Sequence, residues 1–586
     1  MYSNIKNVQI LVVMLKAYEI KDVVMCPGGS DIPIIHSIEE DSYFNCYSVV
    51  DERSAVYFGI GVSQIKNAPV ACICTSGTAV SNFLPGMTEA CYQNVPIVAV
   101  TADKDPYFTY NLKTQKIDQQ NIFGTVCKKF VELPIIHNKE DSWYCERLIS
   151  EALLELNHHG CGPVHINLPI IDDYSVYDCK ELPTVKTMNI TSYNSAEADW
   201  KEFALQLEKV NKILIFVGQN VNFSEEDIGL IEEFFKRFNC MISVEHLSNI
   251  NCKGCLRTYP VTEMKEFDKV LVPDIVISMG NNVSSYKLKS ALSSVHKSIV
   301  HWQIDEGGRV RDMFKALKEI FECDVTYFFK TILQNSSSDI HNDLVYYNLW
   351  KKEIDGLEYP ELPFSNFYLA QELSKIIPAG SIVHSAILNS TRIMQHYQLN
   401  DSIRYFSNVG ALGIDGCLST FVGHAAVSEE LAFCVIGDLS FFYDMNAAGI
   451  RHIDSNVRII LINNGGGSEF HFFIGKDAIP TLNSHIAAKH HKQAKGWIES
   501  LGFDYYSAES KEELDTVLPK FVASSTKPMF LEVFTDAEGD AKITREIYSS
   551  NKLVNQNLVD TVKIKLAQRL PESQKAKIRK FLKSFR

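Results

Sequence analysis

The stretch GDLSFFYDMNAAGIRHIDSNVRIILINNGGG, residues 437–467, decides the fold of its domain. The apolar runs 431–436 and 457–462 have the length and β-branched content of buried strands. The intervening residues 441–453 carry apolar side chains at roughly helical spacing. A strand, a helix and a second strand in this order predict two parallel strands joined by a right-handed crossover. The stretch therefore predicts an open parallel α/β sheet.

Polar residues follow directly after each of these two strands. Gly437 and Asp438 follow the first strand, and Asn464 and a run of glycines follow the second. Because ligands collect at the carboxyl ends of strands in such sheets, we expect Asp438 and Asn464 to converge. Their side-chain oxygens are hard ligands that suit Mg²⁺ or Ca²⁺ bound together with a phosphate. An Asp at a strand end and a turn-forming Asn-Asn-Gly would explain the same residues without any ligand.

The composition is that of an ordinary globular protein and excludes several classes. A chain of 586 residues implies about three or four domains. The net charge of −14 argues against a nucleic-acid-binding body. No apolar stretch reaches the ~18–20 residues of a membrane span, and the amphipathic N-terminus lacks a signal-peptide cleavage site. We therefore expect a cytoplasmic protein, with its 15 cysteines reduced and mostly in the core.

Alternating helical patterns and short apolar strands predict three successive α/β domains. Their predicted ranges are 1–182, 195–345 and 360–550. The remaining segment, 551–586, holds ten Lys or Arg against two acidic residues. This basic tail is predicted to be a solvated surface helix, with docking to an anionic partner or membrane surface as the alternative.

The N-terminal domain carries two further candidate features. Glu52 lies just after a predicted strand and begins a helix, where a carboxylate can simply favour the helix dipole. Ser76, Gly77 and Thr78 form a small-residue turn between a strand and a helix, which lets backbone and hydroxyl groups approach a bound ring or phosphate. A tight packing turn is the alternative for this second feature.

Several distinctive segments occur in order along the chain. They are CPGG, DERSAVYFGIGVS, TSGTAVSNFLPGMTEA, VPIVAVTAD, QKIDQQNIFG, GALGIDGCLST and GDLSFFYDMNA. Taken together, these motifs resemble the thiamine-diphosphate-dependent enzymes over about 540 residues. Within that superfamily the chain is most similar to the 2-succinyl-5-enolpyruvyl-6-hydroxy-3-cyclohexene-1-carboxylate synthases of menaquinone biosynthesis.

The resemblance implies a fold, cofactors and roles for particular residues. It implies pyrimidine-binding, central and diphosphate-binding domains, and a homodimer or dimer of dimers in which Glu52 and the diphosphate site come from different subunits. Glu52 is implied as the catalytic carboxylate that hydrogen-bonds the cofactor's pyrimidine ring. Mg²⁺ is implied to bind Asp438, Asn464 and the carbonyl of Gly466. The residues implied to bind thiamine diphosphate are Ser76, Gly77, Thr78, Gly437, Asp438, Leu439, Ser440, Asn464 and Gly466.

The substrate positions depart from the family's pattern. The family's arginines for 2-oxoglutarate and isochorismate align here with Ser30, Lys104, Val409 and Ala426. Gln115, at the start of the QKIDQQNIFG motif, is a further candidate substrate residue. Since a bidentate guanidinium matches a carboxylate, these changes predict weaker binding of dicarboxylates.

We therefore expect a thiamine-diphosphate-dependent decarboxylase or carboligase with a changed substrate. The expected donor is pyruvate or another short 2-oxoacid, and the expected acceptor is a carbonyl compound of specialised or cell-surface carbohydrate metabolism. The first alternative is the menaquinone-pathway synthase itself, and the second is a non-catalytic relic of the fold.

A histidine cluster follows the glycine run. His485, His490 and His491 lie where such enzymes place a lid over the cofactor. The favoured interpretation is a solvated basic helix face, with an acid–base or substrate-contact role as the alternative.

Overall fold

The structure of the chain is a computed structural model. The structure describes residues 1–170, 176–188, 199–219, 222–473, 479 and 481–552. Within these ranges, every helix is too short or too polar to span a lipid bilayer. The predicted basic tail, apart from its first two residues, lies outside the described residues, as do residues 189–198 at the predicted junction of the first two domains.

The first domain is a parallel six-stranded sheet with helices packed against it. The strand order is β2-β1-β3-β4-β6-β5. The strands are β1 (Asp22–Met25), β2 (Asn45–Ser48), β3 (Val70–Cys74), β4 (Ile97–Asp103), β5 (Lys129–Glu132) and β6 (Val164–Pro169). The helices are α1 (Lys6–Ala17), α2 (Ile32–Glu39), α3 (Glu52–Lys66), α4 (Thr78–Asn82), α5 (Leu84–Gln93) and α6 (Lys139–Leu154).

The second domain is another parallel six-stranded sheet, with the different order β12-β11-β10-β7-β8-β9. The strands are β7 (Ile213–Val217), β8 (Cys240–Val244), β9 (Cys255–Arg257), β10 (Ile275–Met279), β11 (Val300–Ile304) and β12 (Leu317–Phe321). The helices are α7 (Trp200–Lys209), α8 (Glu225–Arg237), α9 (Tyr259–Met264), α10 (Tyr286–Ser294), α11 (Val325–Asn335) and α12 (Val345–Asp355).

The third domain repeats the topology of the first, because its strand order is β14-β13-β15-β16-β18-β17. The strands are β13 (Ile382–Ser385), β14 (Arg404–Phe406), β15 (Ala432–Gly437), β16 (Val457–Asn463), β17 (Asp504–Ala508) and β18 (Met529–Phe534). The helices are α13 (Asn366–Ile376), α14 (Asn389–Met394), α15 (Cys417–Ala426), α16 (Asp438–Tyr443), α17 (Ser468–Phe473), α18 (Lys495–Ser500), α19 (Lys511–Phe521) and α20 (Ala537–Ser550).

The predicted fold class is confirmed: three parallel α/β sheets follow one another along the chain. The two strands of the opening stretch, β15 and β16, pair in parallel as predicted. The helix predicted between them over 441–453 is wrong in detail. α16 already begins at Asp438, and Met445–Gly449 form a 3₁₀-helix. Asp438 therefore starts a helix as well as following a strand, which fixes the direction of its side chain.

The first and third domains meet through α3 and α15, which occupy equivalent positions in the two repeated folds. A side chain at Gly61 would overlap the backbone carbonyl of Thr420, and one at Gly423 would overlap that of Phe58. The two helices therefore pack backbone against backbone, and one continuous apolar cluster includes residues of both domains. This contact requires glycine at both positions.

We predict that Gly423→Ala destabilises the protein, because the added methyl group must push α3 away from α15. Overpacking of this kind costs about 1–3 kcal/mol, so thermal and urea unfolding should shift to lower temperature and denaturant concentration. Gly229→Ala is the control, because Gly229 is an exposed residue inside α8 with open space around it. That variant should gain up to about 1 kcal/mol from helix propensity. Unchanged stability of Gly423→Ala would show that the helices are not in close contact.

Candidate active site

The structure brings the ends of β15 and β16 together. The Asp438 carboxylate accepts hydrogen bonds from the backbone N–H groups of Gly465 (2.8 Å) and Gly466 (3.0 Å), in the turn that follows Asn464. Gly465 and Gly466 both have positive φ angles, of 80° and 151°, which favour glycine. The glycine run is therefore needed for the turn that meets Asp438.

The donor groups at this edge fit a hard divalent cation. The side-chain nitrogen of Asn464 donates to Asp540 Oδ2 at 3.1 Å, which leaves its side-chain oxygen available as a ligand. Together with the Asp438 carboxylate and the Gly466 carbonyl, this gives a set made only of oxygen donors. At Gly437 an added side chain would meet no atom within 4 Å, so there is open space in front of the strand end.

The neighbouring predicted cofactor residues hold this edge in place. The N–H of Leu439 donates to Asp438 Oδ1 at 2.6 Å. The Ser440 hydroxyl donates to the carbonyl of Ile414 at 2.6 Å. Ser440 is buried, and its hydrogen bond connects the start of α16 to the loop that precedes α15. The hydroxyl of Ser440 therefore already has a partner within the protein.

Burial raises the pKa of Asp438, while His490 and the backbone N–H groups of the glycine turn oppose that rise. The His490 Nε2 atom lies 3.3 Å from Asp438 Oδ2. The favoured prediction for the histidine cluster is thus wrong for His490, which lies in an irregular segment beside the candidate metal site. His485 and His491 are exposed, as predicted for solvated residues.

A second group of predicted residues meets at the carboxyl edge of the first sheet. Ser76 and Gly77 are buried at the end of β3, and Thr78 is exposed at the start of α4. The Ser30 hydroxyl lies 3.2 Å from that of Ser76. The Cβ and Cα atoms of Gln115 would lie about 3.5 Å from a side chain added at Gly77, which has φ +88°. The structure thus brings Ser30, Ser76, Gly77 and Gln115 together.

Sequence reasoning missed Gln119, which positions this turn. Its side-chain oxygen accepts the N–H of Gly77 at 3.2 Å, and its nitrogen donates to Asn167 Oδ1 at 2.8 Å and to the carbonyl of Ala102 at 3.2 Å. Gln119 therefore links the ends of β3, β4 and β6. Its position within the QKIDQQNIFG segment was the available signal.

The cations near this edge already have partners. Lys104 donates from its ammonium group to the carbonyl of Thr114. Lys116, which sequence reasoning did not single out, forms a buried ion pair with Asp103 at 2.7 Å. Both contacts stabilise the loop that carries Gln115.

Glu52 is half-buried at the first position of α3, and Asp51 caps this helix by accepting the N–H of Arg53 at 3.0 Å. The Arg53 guanidinium donates to the carbonyl of Tyr443 at 3.1 Å, at the end of α16. This bond ties the first turn of α3 to the helix that begins with Asp438.

A second carboxyl group, Asp31, lies near Glu52. Burial raises the pKa of Asp31 to about 7, with a further contribution from the negative charge of Glu52. No sequence pattern singled out this residue.

Two predicted substrate residues do not lie where the prediction requires them. Ala426 ends α15, a helix about 15 Å long that runs back from the carboxyl edge towards the start of β15. It therefore lies near the opposite edge of the sheet from Asp438. Val409 is 2% exposed and belongs to the apolar core of the third domain. Its side chain is therefore not on a surface that a substrate could contact.

The loop that carries Val409 is clamped by the other two domains. Glu89, on α5, accepts the backbone N–H groups of Gly410 (3.0 Å) and Ala411 (2.7 Å). Asn282, in the second domain, donates to the carbonyl of Val409 at 2.8 Å. The loop is thus a junction of all three domains.

The carboxyl edge of the third sheet also carries an arginine that the sequence analysis did not single out. Arg392 lies on α14, directly after β13, and its guanidinium bonds to Glu469 at 2.5 Å. Glu469 is on α17, three residues after Gly466. A half-buried guanidinium therefore lies close to the glycine turn of the candidate metal site.

The comparisons with known proteins agree with this geometry. A family model described as "Thiamine pyrophosphate enzyme, N-terminal TPP binding domain" matches residues 5–122. The 2-succinyl-5-enolpyruvyl-6-hydroxy-3-cyclohexene-1-carboxylate synthase of Bacteroides fragilis is 38% identical over 94% of this chain and 100% of its own length. The synthases of Phocaeicola vulgatus and Bacteroides thetaiotaomicron are 36% and 37% identical over 95% and 94% of this chain, and all of their own.

The fold and the site define a thiamine-diphosphate-dependent enzyme that forms carbon–carbon bonds. More particularly, the chain belongs to the family of 2-succinyl-5-enolpyruvyl-6-hydroxy-3-cyclohexene-1-carboxylate synthases. This overturns the expectation of a decarboxylase or carboligase with pyruvate or another short donor. That expectation rested on missing arginines, and one of the positions it used, Ala426, lies away from the carboxyl edge.

We predict that Asp438→Ala abolishes measurable binding of thiamine diphosphate in the presence of Mg²⁺. Asp438 would be a ligand of the cation that neutralises the diphosphate, and removing one partner of a buried charge pair costs about 3–5 kcal/mol, or more than about 100-fold in affinity. Isothermal titration calorimetry measures the affinity directly. The exposed Asp454→Ala variant is the control and should bind normally. Undiminished affinity of Asp438→Ala would remove this residue from the metal site.

Proposed function

We propose that this protein is a 2-succinyl-5-enolpyruvyl-6-hydroxy-3-cyclohexene-1-carboxylate synthase that transfers a succinyl group from 2-oxoglutarate to isochorismate. The observation that carries the proposal is the 38% identity to a synthase of that name over 94% of the chain. The residues Asp438, Asn464 and Glu52 support it, because the expected cofactor needs oxygen ligands for its metal-bound diphosphate and a carboxylate beside its pyrimidine ring. A relative with a different activity would also keep the cofactor residues, so the donor must be tested.

The proposed cofactors are thiamine diphosphate and Mg²⁺. When bound, thiamine diphosphate supplies the electron sink that allows a 2-oxoacid to lose CO₂ and react as an acyl anion. Asp438, Asn464 and the carbonyl of Gly466 would hold Mg²⁺ against the diphosphate. Glu52 would form a hydrogen bond with the pyrimidine ring. Its carboxylate oxygen could then hold the proton of that bond or release it.

Other residues of this chain would position the reactants. Gln119 fixes the turn at Gly77 and thereby the surface on which the pyrimidine ring would lie. Arg392 offers a planar guanidinium for a carboxylate of the donor, and Glu469 orients it. Ser30 and Gln115 remain candidates for contacts with the acceptor, since they flank the same turn.

We also propose a homodimer in which Glu52 of one copy and Asp438 of the other complete one site. The loop after β4 supports this arrangement, because it carries strongly exposed apolar side chains beside the predicted cofactor turn: Tyr107, Phe108, Tyr110 and Leu112. Such a cluster is typical of a surface that another protein covers. A second copy of this chain is the partner that the shared site requires.

The test of the proposed function compares donors. Purified protein with thiamine diphosphate, Mg²⁺ and isochorismate should form the succinylated product from 2-oxoglutarate and turn over pyruvate poorly. Mass spectrometry of the product and measurement of CO₂ release provide the readouts. Preferential turnover of pyruvate, or no product from 2-oxoglutarate, would contradict the proposal.

Arg392→Met extends this test to the donor pocket. Since a hydrogen bond to a charged group contributes about 1.5–3 kcal/mol, the KM for 2-oxoglutarate should rise by about 10- to 100-fold. Cofactor affinity should remain normal in the same variant. Arg451→Met, at an exposed position, is the control. An unchanged KM in Arg392→Met would assign the donor carboxylate to another residue.

A further inference from the structure

Two cysteines in the second domain form a close pair that the proposed reaction does not use. Cys252 and Cys255 enclose a tight turn with the sequence CKGC, immediately before and at the start of β9. The N–H of Cys255 donates to the carbonyl of Cys252 at 3.1 Å. Gly254 has φ +93°, and a side chain there would collide with the ring of Phe235. The turn therefore requires glycine at position 254, and it brings the thiols of Cys252 and Cys255 close to each other.

The two sulfur atoms are close enough for covalent bonding after a small movement. Cys252 Sγ and Cys255 Sγ lie 3.2 Å apart. A disulfide has an S–S distance of about 2.05 Å, so side-chain rotation that closes about 1 Å would suffice. Both residues are partly exposed, unlike Cys240 on the adjacent β8, which is fully buried. The pair therefore lies nearer to the solvent than Cys240 does.

The surroundings favour thiol chemistry over metal binding. Within the described residues, no group of three or more His, Cys, Asp or Glu side chains is arranged to hold a metal ion. Hydrogen bonding between the thiols lowers the pKa of Cys255 and raises that of Cys252. The thiolate of one cysteine is therefore stabilised by the proton of the other, as thiol–disulfide exchange requires.

We propose that Cys252 and Cys255 form a redox-active dithiol that is reversibly oxidised to an intramolecular disulfide by small disulfides such as oxidised glutathione. This modification site is independent of the proposed function, because neither cysteine lies at the cofactor edges. The sequence signal was the Cys-x-x-Cys spacing within residues 252–255.

The reaction balances in two exchange steps. One cysteine, as its thiolate, attacks a sulfur of the small disulfide, forms a mixed disulfide and releases one thiol of the reagent. The other cysteine loses its proton and attacks the protein sulfur of that mixed disulfide, which releases the second thiol. The protein gives up two electrons and two protons, and the reagent disulfide is reduced to two thiols.

The experiment incubates the full-length native protein with defined ratios of reduced and oxidised glutathione. Remaining thiols are then alkylated under denaturing conditions, and the peptides are mapped by mass spectrometry. The expected result is a Cys252–Cys255 disulfide that forms as the oxidised fraction rises and disappears on addition of dithiothreitol. Cys252→Ser and Cys255→Ser should each fail to form it, and any product should stop at the mixed disulfide. Cys161→Ser, which changes a partly exposed single cysteine, should leave the disulfide unchanged.

Three outcomes would overturn the proposal. The first is full alkylation of both cysteines at every glutathione ratio. The second is a stable glutathione adduct in the unmodified sequence, which would show that the second thiol cannot reach the first. The third is a disulfide that links either cysteine to Cys240. Circular dichroism of the serine variants checks that they remain folded, so a lost disulfide can be assigned to the lost thiol.

Discussion

The close contact between α3 and α15 is the constraint on which the arrangement of the site depends. Gly61 and Gly423 let the two helices meet backbone against backbone. Both helices begin at the carboxyl edge of their own sheet, so the contact fixes how the two edges of one chain lie relative to each other, and thereby what each copy offers to a shared site. Further bonds hold the start of α3 in place: Arg53 reaches the end of α16, and Tyr57 donates to Asp415 at 3.1 Å, just before α15. The position of Glu52 therefore depends on residues of the third domain.

The first and third domains have the same topology, but the carboxyl edges of their sheets carry different chemical groups. After β3 the chain places neutral groups, Ser76 and Gly77, which Gln119 holds by hydrogen bonds. After the equivalent strand, β15, it places Asp438, which is held by backbone N–H groups. A turn of neutral groups suits a ring, and an edge with oxygen donors suits a metal-bound diphosphate. The two domains share a scaffold and differ in the residues that end the same strand.

Much of the fold could be predicted because its central strands are buried on both faces and read as continuous apolar runs. β4, β15 and β16 are of this kind, whereas β9 and β14 have only three residues each and carry too little pattern to be recognised. Strand ends also predicted the positions of Asp438 and Asn464, because topology alone brings them to one edge. Contacts distant in sequence could not be predicted in this way. Glu89 clamps a loop more than 300 residues away, and Asp31 becomes significant only when its burial is known. The place of Ala426 could not be predicted either, because it depends on the direction in which α15 runs.

Mixing of inactive subunits tests most directly whether two copies of the chain complete each site. Glu52→Gln should retain the cofactor but lose turnover, because an amide cannot take up a proton as the carboxylate does. Asp438→Ala should lack the metal ligand. If Glu52 and Asp438 act from different copies, unfolding and refolding the two variants together gives mixed dimers with one intact site, and activity should return. The activity of the mixture should exceed that of either variant refolded alone. If dimers of the two variants are shown to form and no activity returns, both residues act within one chain, and the account of a shared site is wrong.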